Sequence, residues 1–277
     1  MTSPAHATAD AATAAGPAAG PSAPAWHVES LLRLADAALV HSQRLSEWCG
    51  HGPILEEDLA LTNVALDLLG QARLLYAHAG ALEGRGRDED AFAYWRDAGA
   101  FRNPTLVELP NGAGPRDDYA VTIARLFLHA AWQVPAWSAL TGSTDPQLAA
   151  IAAKSVKESR YHLEHARQWM ERFGDGTDES HRRAQAALDR LWPYTREWFV
   201  DDAIDAAAAQ AGVGVLPSSL RSAWDETVDA TLAEATLRRP ADSEFVSTGR
   251  QGVHSEYLGH LLAEMQTLAR AHPGARW

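Results

Sequence analysis

Residues 145–173 read DPQLAAIAAKSVKESRYHLEHARQWMERF. Asp145 before Pro146 has the form of an N-cap followed by proline at the first helical position, and Gly174 has the form of a stop. At about 100° per residue, Ile151, Ser155, Ala166, Trp169 and Phe173 fall on one face. Glu158 and His162 fall on the same face. An acid and an imidazole turned into a helical core are costly unless satisfied. The pair is therefore either a structural couple tied to neighbouring helices or part of a metal site.

Bundles that bury such groups for two metal ions take a Glu from each of two helices and a Glu-x-x-His from each of the other two. The residue three after Glu158 is Tyr161, so His162 stands one place late. The remaining helices decide between the readings. Residues 28–48 predict a helix with Leu31, Ala35, Ala38, Ser42 and Leu45 inward; Asp36 and Glu47 lie off that stripe, which leaves no inward carboxylate. Residues 55–82 predict a helix apolar on nearly every side, hence central and buried. It carries one polar line, Asn63, Asp67 and Gln71. Gly70 stands where a Glu-x-x-His helix would place its histidine, and its expected return is close approach of another helix. Asp67 is either a ligand without its histidine or a member of a buried hydrogen-bond network. Residues 118–140 predict a helix with no acid between Tyr119 and Leu140, His129 and Gln133 as its chief inner polar groups, and a kink at Pro135. Half a ligand set is the most these helices supply.

A short helix follows at 89–98. Residues 101–114, FRNPTLVELPNGAG, form an ordered crossover in which Phe101, Arg102 and Asn103 are either packed or turned toward a ligand or partner pocket. Helices are further expected at 179–199, 201–211, 218–237 (capped by Ser218) and 253–271. His254, Glu256 and His260 share a helix start but lack the converging ligands a metal needs. No phosphate loop, nucleophile elbow or paired-cysteine signature is present. The fold expected is all-α, a four-helix bundle core with additional C-terminal helices.

Composition agrees. The chain has 277 residues, 46% hydrophobic, with 10 Trp, enough for one sizeable core. A net charge of −12 argues against nucleic acid or an anionic membrane as main partner. One cysteine, Cys49, excludes an internal disulfide and suits a reducing cytoplasm; at a helix end it reads as a small buried apolar group. No apolar run reaches transmembrane length. Residues 1–25, rich in Ala, Pro, Gly and Thr, read as a disordered extension ahead of a single domain at 26–277.

Four segments carry a resemblance: LSEWCGHGPILEEDLALTNVALDLLGQAR at 45–73, VELPNG at 107–112, the stretch 145–178 and HLLAEMQTLARAHPGARW at 260–277. Together they resemble the C-subunit family of multicomponent phenylacetyl-CoA 1,2-epoxidases, over about residues 31–277. The resemblance implies a ferritin-like fold and a place in bacterial aerobic phenylacetate degradation. It implies a tight pair with a related catalytic A subunit that holds the di-iron centre, a small B subunit bridging the pairs, and a flavin and iron–sulfur reductase supplying electrons. It further implies that one oxygen atom of O2 enters the aromatic ring, and that this chain is non-catalytic, with no catalytic, cofactor or metal residues of its own. The departures at Gly70 and Tyr161 agree with that role. Two other readings remain open: a di-iron enzyme using Asp67, Glu158 and His162, and a coenzyme A-binding helical module using Arg102 and Asn103.

Overall fold

The computed structural model describes residues 23–112, 114 and 117–275. Most of the expected 1–25 extension lies outside them, and the first helix already begins at Ala25. Two long helix pairs make the core. In the first, α1 (Ala25–Ser46) packs along α2 (Leu55–Glu83); in the second, α4 (Tyr119–Leu140) packs along α5 (Pro146–Gly174). The pairs close on each other through α2 and α5. Between them run the short α3 (Glu89–Tyr94) and the crossover. Then α6 (Asp178–Leu191) covers α4, α7 (Ala203–Gln210) leans on α1, α8 (Arg221–Glu234) touches α4 and α5, and α9 (Glu256–Ala271) lies over α3 and the crossover. Among the described residues there is no strand, only an isolated bridge between Thr248 and Val253. No described helix is long and apolar enough to cross a membrane. The architecture is the ferritin-like four-helix core with additional C-terminal helices.

Local signals set the helix ends. Asp145 accepts hydrogen bonds from the Gln147 and Leu148 amides, at 3.0 and 3.1 Å, and Pro146 opens α5. Gly84 ends α2 with a left-handed φ of 68°. Gly174 is the last residue of α5, with Asp175 as its cap, and a Cβ there would strike the Ala235 carbonyl at the end of α8. Pro193 stops the helix expected over 179–199 at Leu191, and single 3₁₀ turns carry the chain on to Phe199. Ser218 is no cap, because its amide and hydroxyl both donate to Asp201.

Three expectations about the core change. The stripe Leu31, Ala35, Ala38, Ser42 and Leu45 is buried as read, but α1 also buries a carboxylate. Asp36 has no exposure, because α3 and the crossover cover that flank of α1 as well as the bundle covering the stripe. The central helix is α4, buried without a break from Ala120 to Ala131. By contrast, α2 is two-faced. Leu61, Ala65, Leu68, Ala72, Leu75 and Ala79 point inward at alternating spacings of four and three. Leu55, Leu59, Thr62, Leu66 and Leu69 repeat that spacing outward, with Leu55 71%, Leu59 55% and Leu66 59% exposed. Third, Cys49 is exposed, and Trp48 beside it is buried instead.

The crossover is locked by charged and amide side chains rather than by its apolar residues alone. Glu108 and Asn111 are wholly buried. Glu108 accepts from the Ser255 amide at 2.6 Å and lies 2.7 Å from His254 Nδ1. Burial works against a charged His254, but the Glu108 carboxylate outweighs it and holds the imidazole above its ordinary pKa. Arg44 donates to the Glu108 carbonyl, and Arg125 donates to Leu109 O and to Asn111 Oδ1. Arg125, buried at the middle of α4, is a core cation that a reading confined to His129 and Gln133 passes over.

Candidate functional site

The bundle centre is where facing helices of this fold place metal ligands. Here α1 supplies His41, α2 Gln71, α4 His129 and Gln133, and α5 Ser155, Ser159 and His162, all buried. His41 Nδ1 and His129 Nδ1 are 2.8 Å apart, so one ring donates and the other accepts. The His129 ring stacks on Trp132 and Trp198, with centroids at 6.2 and 5.7 Å. Gln133 Nε2 reaches Gln71 Oε1 at 3.5 Å, and Gln71 Nε2 donates to Glu158 Oε2 at 3.1 Å.

The carboxylates stand at the rim. Glu158 is half-buried and pairs with Lys154. Asp67 is 38% exposed at its side chain, and its Oδ2 lies 3.0 Å from His162 Nε2. A third rung crosses α2 and α5, with His165 Nε2 2.9 Å from Glu57 Oε2. The polar line of α2 therefore spirals from exposed Asn63 through half-buried Asp67 to buried Gln71. Asp67 is hydrogen-bonded to His162 at the rim rather than sealed in the interior. The one-residue shift between Tyr161 and His162 is a rotation of about 100°. It turns His162 into the core and leaves Tyr161 57% exposed. Gly70 does not mark a close approach, because a Cβ there would meet nothing within 4 Å.

Burial disfavours the charged form of two of these rings, His41 and His129. Burial, then the nearby His129, Arg125 and His162, hold the His41 imidazole well below its ordinary pKa. Burial, with His162 and Arg125, pushes His129 down to about 3. A carboxylate-bridged pair of metal ions needs acids in the interior. This interior offers imidazoles, amides and hydroxyls, and the donor set does not fit the group. Among the described residues, the cluster of His, Cys, Asp and Glu close enough for a metal is His27, His78 and Asp145, at one end of the bundle. Sequence reading picked out only the capping role of Asp145. His27 and His78 are 118 and 67 residues from it, and no local pattern joins them.

The neutral histidines carry a pH signature. Between about pH 6.5, the ordinary value, and about pH 3, the folded value of His129, the unfolded chain binds protons that the folded chain refuses. Stability therefore falls as pH drops through that window. The expected loss between pH 6.5 and 5.5 is about 1 kcal/mol for His129, and His41 adds a loss of the same sign. Urea melts at the two pH values measure it. The double variant His41→Gln/His129→Gln should flatten the difference, and an unchanged slope in that variant would contradict the assignment.

The other residues singled out by sequence have internal partners. Phe101 is wholly buried, and Arg102 pairs with Glu29 at 2.6 Å. Buried Asn103 donates to Glu108 Oε2 at 2.8 Å. His254 belongs to the crossover lock, while Glu256 and His260 are exposed. An apolar cleft lined by Leu34, Trp132, Ala136, Trp198 and Leu220 holds about 80 Å³, well short of the roughly 300–1,000 Å³ of a ligand pocket.

Comparison with known proteins fits this arrangement. The curated C subunit of 1,2-phenylacetyl-CoA epoxidase from Escherichia coli (strain K12) is 50% identical over 246 residues, covering 89% of this chain and 97% of that one. The family model for phenylacetic acid catabolic proteins matches residues 14–277. With nearly its whole length matched and its helices in the ferritin-like order, the chain belongs to the phenylacetic acid catabolic protein family.

Proposed function

We propose that this chain is a non-catalytic structural subunit of a bacterial oxygenase complex that epoxidises the aromatic ring of phenylacetyl-CoA in the cytoplasm. It pairs with a related catalytic A subunit that carries the di-iron centre. A small B subunit and a reductase complete the assembly. The observation that carries the reading is the acid-free bundle centre, where His41, His129, His162, Gln71 and Gln133 occupy the interior that metal-bridging carboxylates would need. Support for a partner comes from α2, whose outward leucines give the bundle a second apolar seam. Obligate interfaces resemble a core cut in half.

The test is co-expression with the catalytic subunit, separation of the chains, and metal analysis of each. Iron should follow the catalytic subunit, and this chain alone should show no oxygen-dependent turnover. Stoichiometric iron and turnover in the isolated chain would sink the proposal and make Asp67, Glu158 and His162 the first residues to substitute. The coenzyme A-binding reading is the weaker one, since Arg102 Nε and the Asn103 amide nitrogen are held by Glu29 and Glu108 and Asn103 is wholly buried.

A further inference from the structure

Three segments meet at the far end of the bundle: the first turn of α1, the last third of α2 and the N-cap of α5. His27, His78 and Asp145 come together there. Both imidazoles use Nε2 and both aim at one oxygen, Asp145 Oδ2, at 2.9 and 2.6 Å. The rings stand nearly perpendicular, at 85° with centroids 6.3 Å apart, so their Nε2 atoms converge from two directions. All three ligand atoms lie within 4.8 Å of one another.

The surroundings hold this geometry in place. Asp145 spends its other oxygen, Oδ1, on the Gln147 and Leu148 amides, which fixes the carboxylate plane and leaves Oδ2 for the imidazoles. The His27 ring stacks on Trp26 at 5.2 Å and 14°. Supporting contacts of this kind orient the ligands of protein metal sites. The side chains are 13%, 11% and 7% exposed, shielded from bulk water yet open on one side. Nitrogen and oxygen ligands at about 2.0–2.2 Å from a tetrahedral zinc ion lie about 3.3 Å apart. Asp145 Oδ2 therefore needs to draw back from each imidazole by less than about 1 Å to admit one.

We infer that His27, His78 and Asp145 form a binding site for a divalent transition-metal ion of the zinc class, a two-histidine, one-carboxylate site with solvent in the remaining position. Without the ion each Nε2–H donates to Asp145 Oδ2; on binding, the ring proton moves to Nδ1 and Nε2 presents its lone pair to the metal. The ion ties the start of α1, the last third of α2 and the start of α5 together. Imidazole and carboxylate donors without a thiolate suit zinc, cobalt or nickel better than a soft monovalent ion. The site is separate from the bundle centre and does not depend on the role proposed for the chain.

The test uses the purified full chain, stripped with chelator and titrated with Co²⁺. Expected are one equivalent bound with the strong visible bands of four-coordinate cobalt, and displacement of those bands by Zn²⁺. A hundredfold excess of Zn²⁺ over its Kd should raise Tm by about 5 °C or more. Asn is as good an N-cap as Asp, so Asp145→Asn keeps the start of α5 while removing the anionic ligand. Losing an outer contact of a metal site costs about 10–100-fold in affinity. Asp145→Asn and His78→Gln, each folded by circular dichroism, should lose at least as much. Bands of six-coordinate aqueous cobalt only, or equal affinity in wild type and His78→Gln, would overturn the site. A zinc-induced rise in Tm that persists in the double variant His27→Gln/His78→Gln would overturn it as well.

Discussion

Replacing Asp36 with asparagine is expected to destabilise the chain by about 3–5 kcal/mol, the cost of leaving a buried charge without its partner. Asp36 has no exposure and accepts from four donors: the Tyr76 hydroxyl, two guanidinium nitrogens of Arg96, and the Arg102 amide at 2.7 Å. An asparagine amide serves donors on one side only and turns its own N–H groups against those on the other. Arg96, itself buried, keeps its charge with nothing to balance it, since Asp36 is what outweighs burial and holds its pKa up. Burial, the largest of the effects that hold Tyr76 well above its ordinary pKa, persists in the variant and disfavours its ionising to replace the lost anion. At about 2–4 °C per kcal/mol for a chain of this size, Tm should fall by about 10 °C. Thermal melts and urea titrations measure the loss. The apolar triple variant Asp36→Leu/Arg96→Met/Tyr76→Phe should recover much of it, as apolar replacement of buried ion pairs does elsewhere. A loss under about 1 kcal/mol in Asp36→Asn, the ordinary cost of one neutral hydrogen bond, would show that the network carries no net charge interaction.

The second large effect concerns association. Leu59→Glu/Leu66→Glu should leave Tm unchanged and weaken binding to the proposed catalytic partner about a thousandfold or more. Both leucines are more than half exposed in the free chain, at 55% and 59%, so the fold loses little. Glu forms helix nearly as well as Leu. In a complex the two positions sit on a seam of Leu55, Leu59, Leu66 and Leu69. About 2 kcal/mol at each of two central positions multiplies to that factor. Titration by calorimetry, with Lys157→Glu on the exposed face of α5 as a control, distinguishes the seam from a general change of charge. Unchanged affinity in the double variant would remove α2 as the docking face.

These two cases mark what the sequence allowed to be read. The four core helices, the α5 cap and the α1 stripe follow from spacing, because one helix writes its own period. Gly70 and Tyr161, each three after an acid, were visible in the sequence as departures from the Glu-x-x-His pattern. Asp36 was misplaced because a period describes one face, whereas α1 has two coverings, the bundle and the crossover with α3. The same limit hid the division of α2: continuous leucine reads as burial, and only tertiary structure shows that half of it lacks a neighbour. His41 lies one residue from Ser42 on the inner stripe, so a wider stripe would have included it. Arg125 gave no signal, because its partners are carbonyl and amide oxygens of the crossover just ahead of α4, which leave no periodic trace.

The way α9 holds the crossover has a bearing on the order of assembly. Gln266 donates to the carbonyls of Ala93 and Arg96, Arg270 to that of Tyr94, and His254 closes on Glu108. These partners are separated by about 150 residues or more of chain. As the chain leaves the ribosome, at roughly 5–20 residues per second, the crossover emerges long before the helix that seals it. For that interval of about ten seconds, Glu108 and the Arg96 carbonyl lack these final partners. Residues 254–271 therefore act as a latch on a bundle whose core helices were made first, and a chain stopped short of residue 254 reaches the helical stage without its closing step.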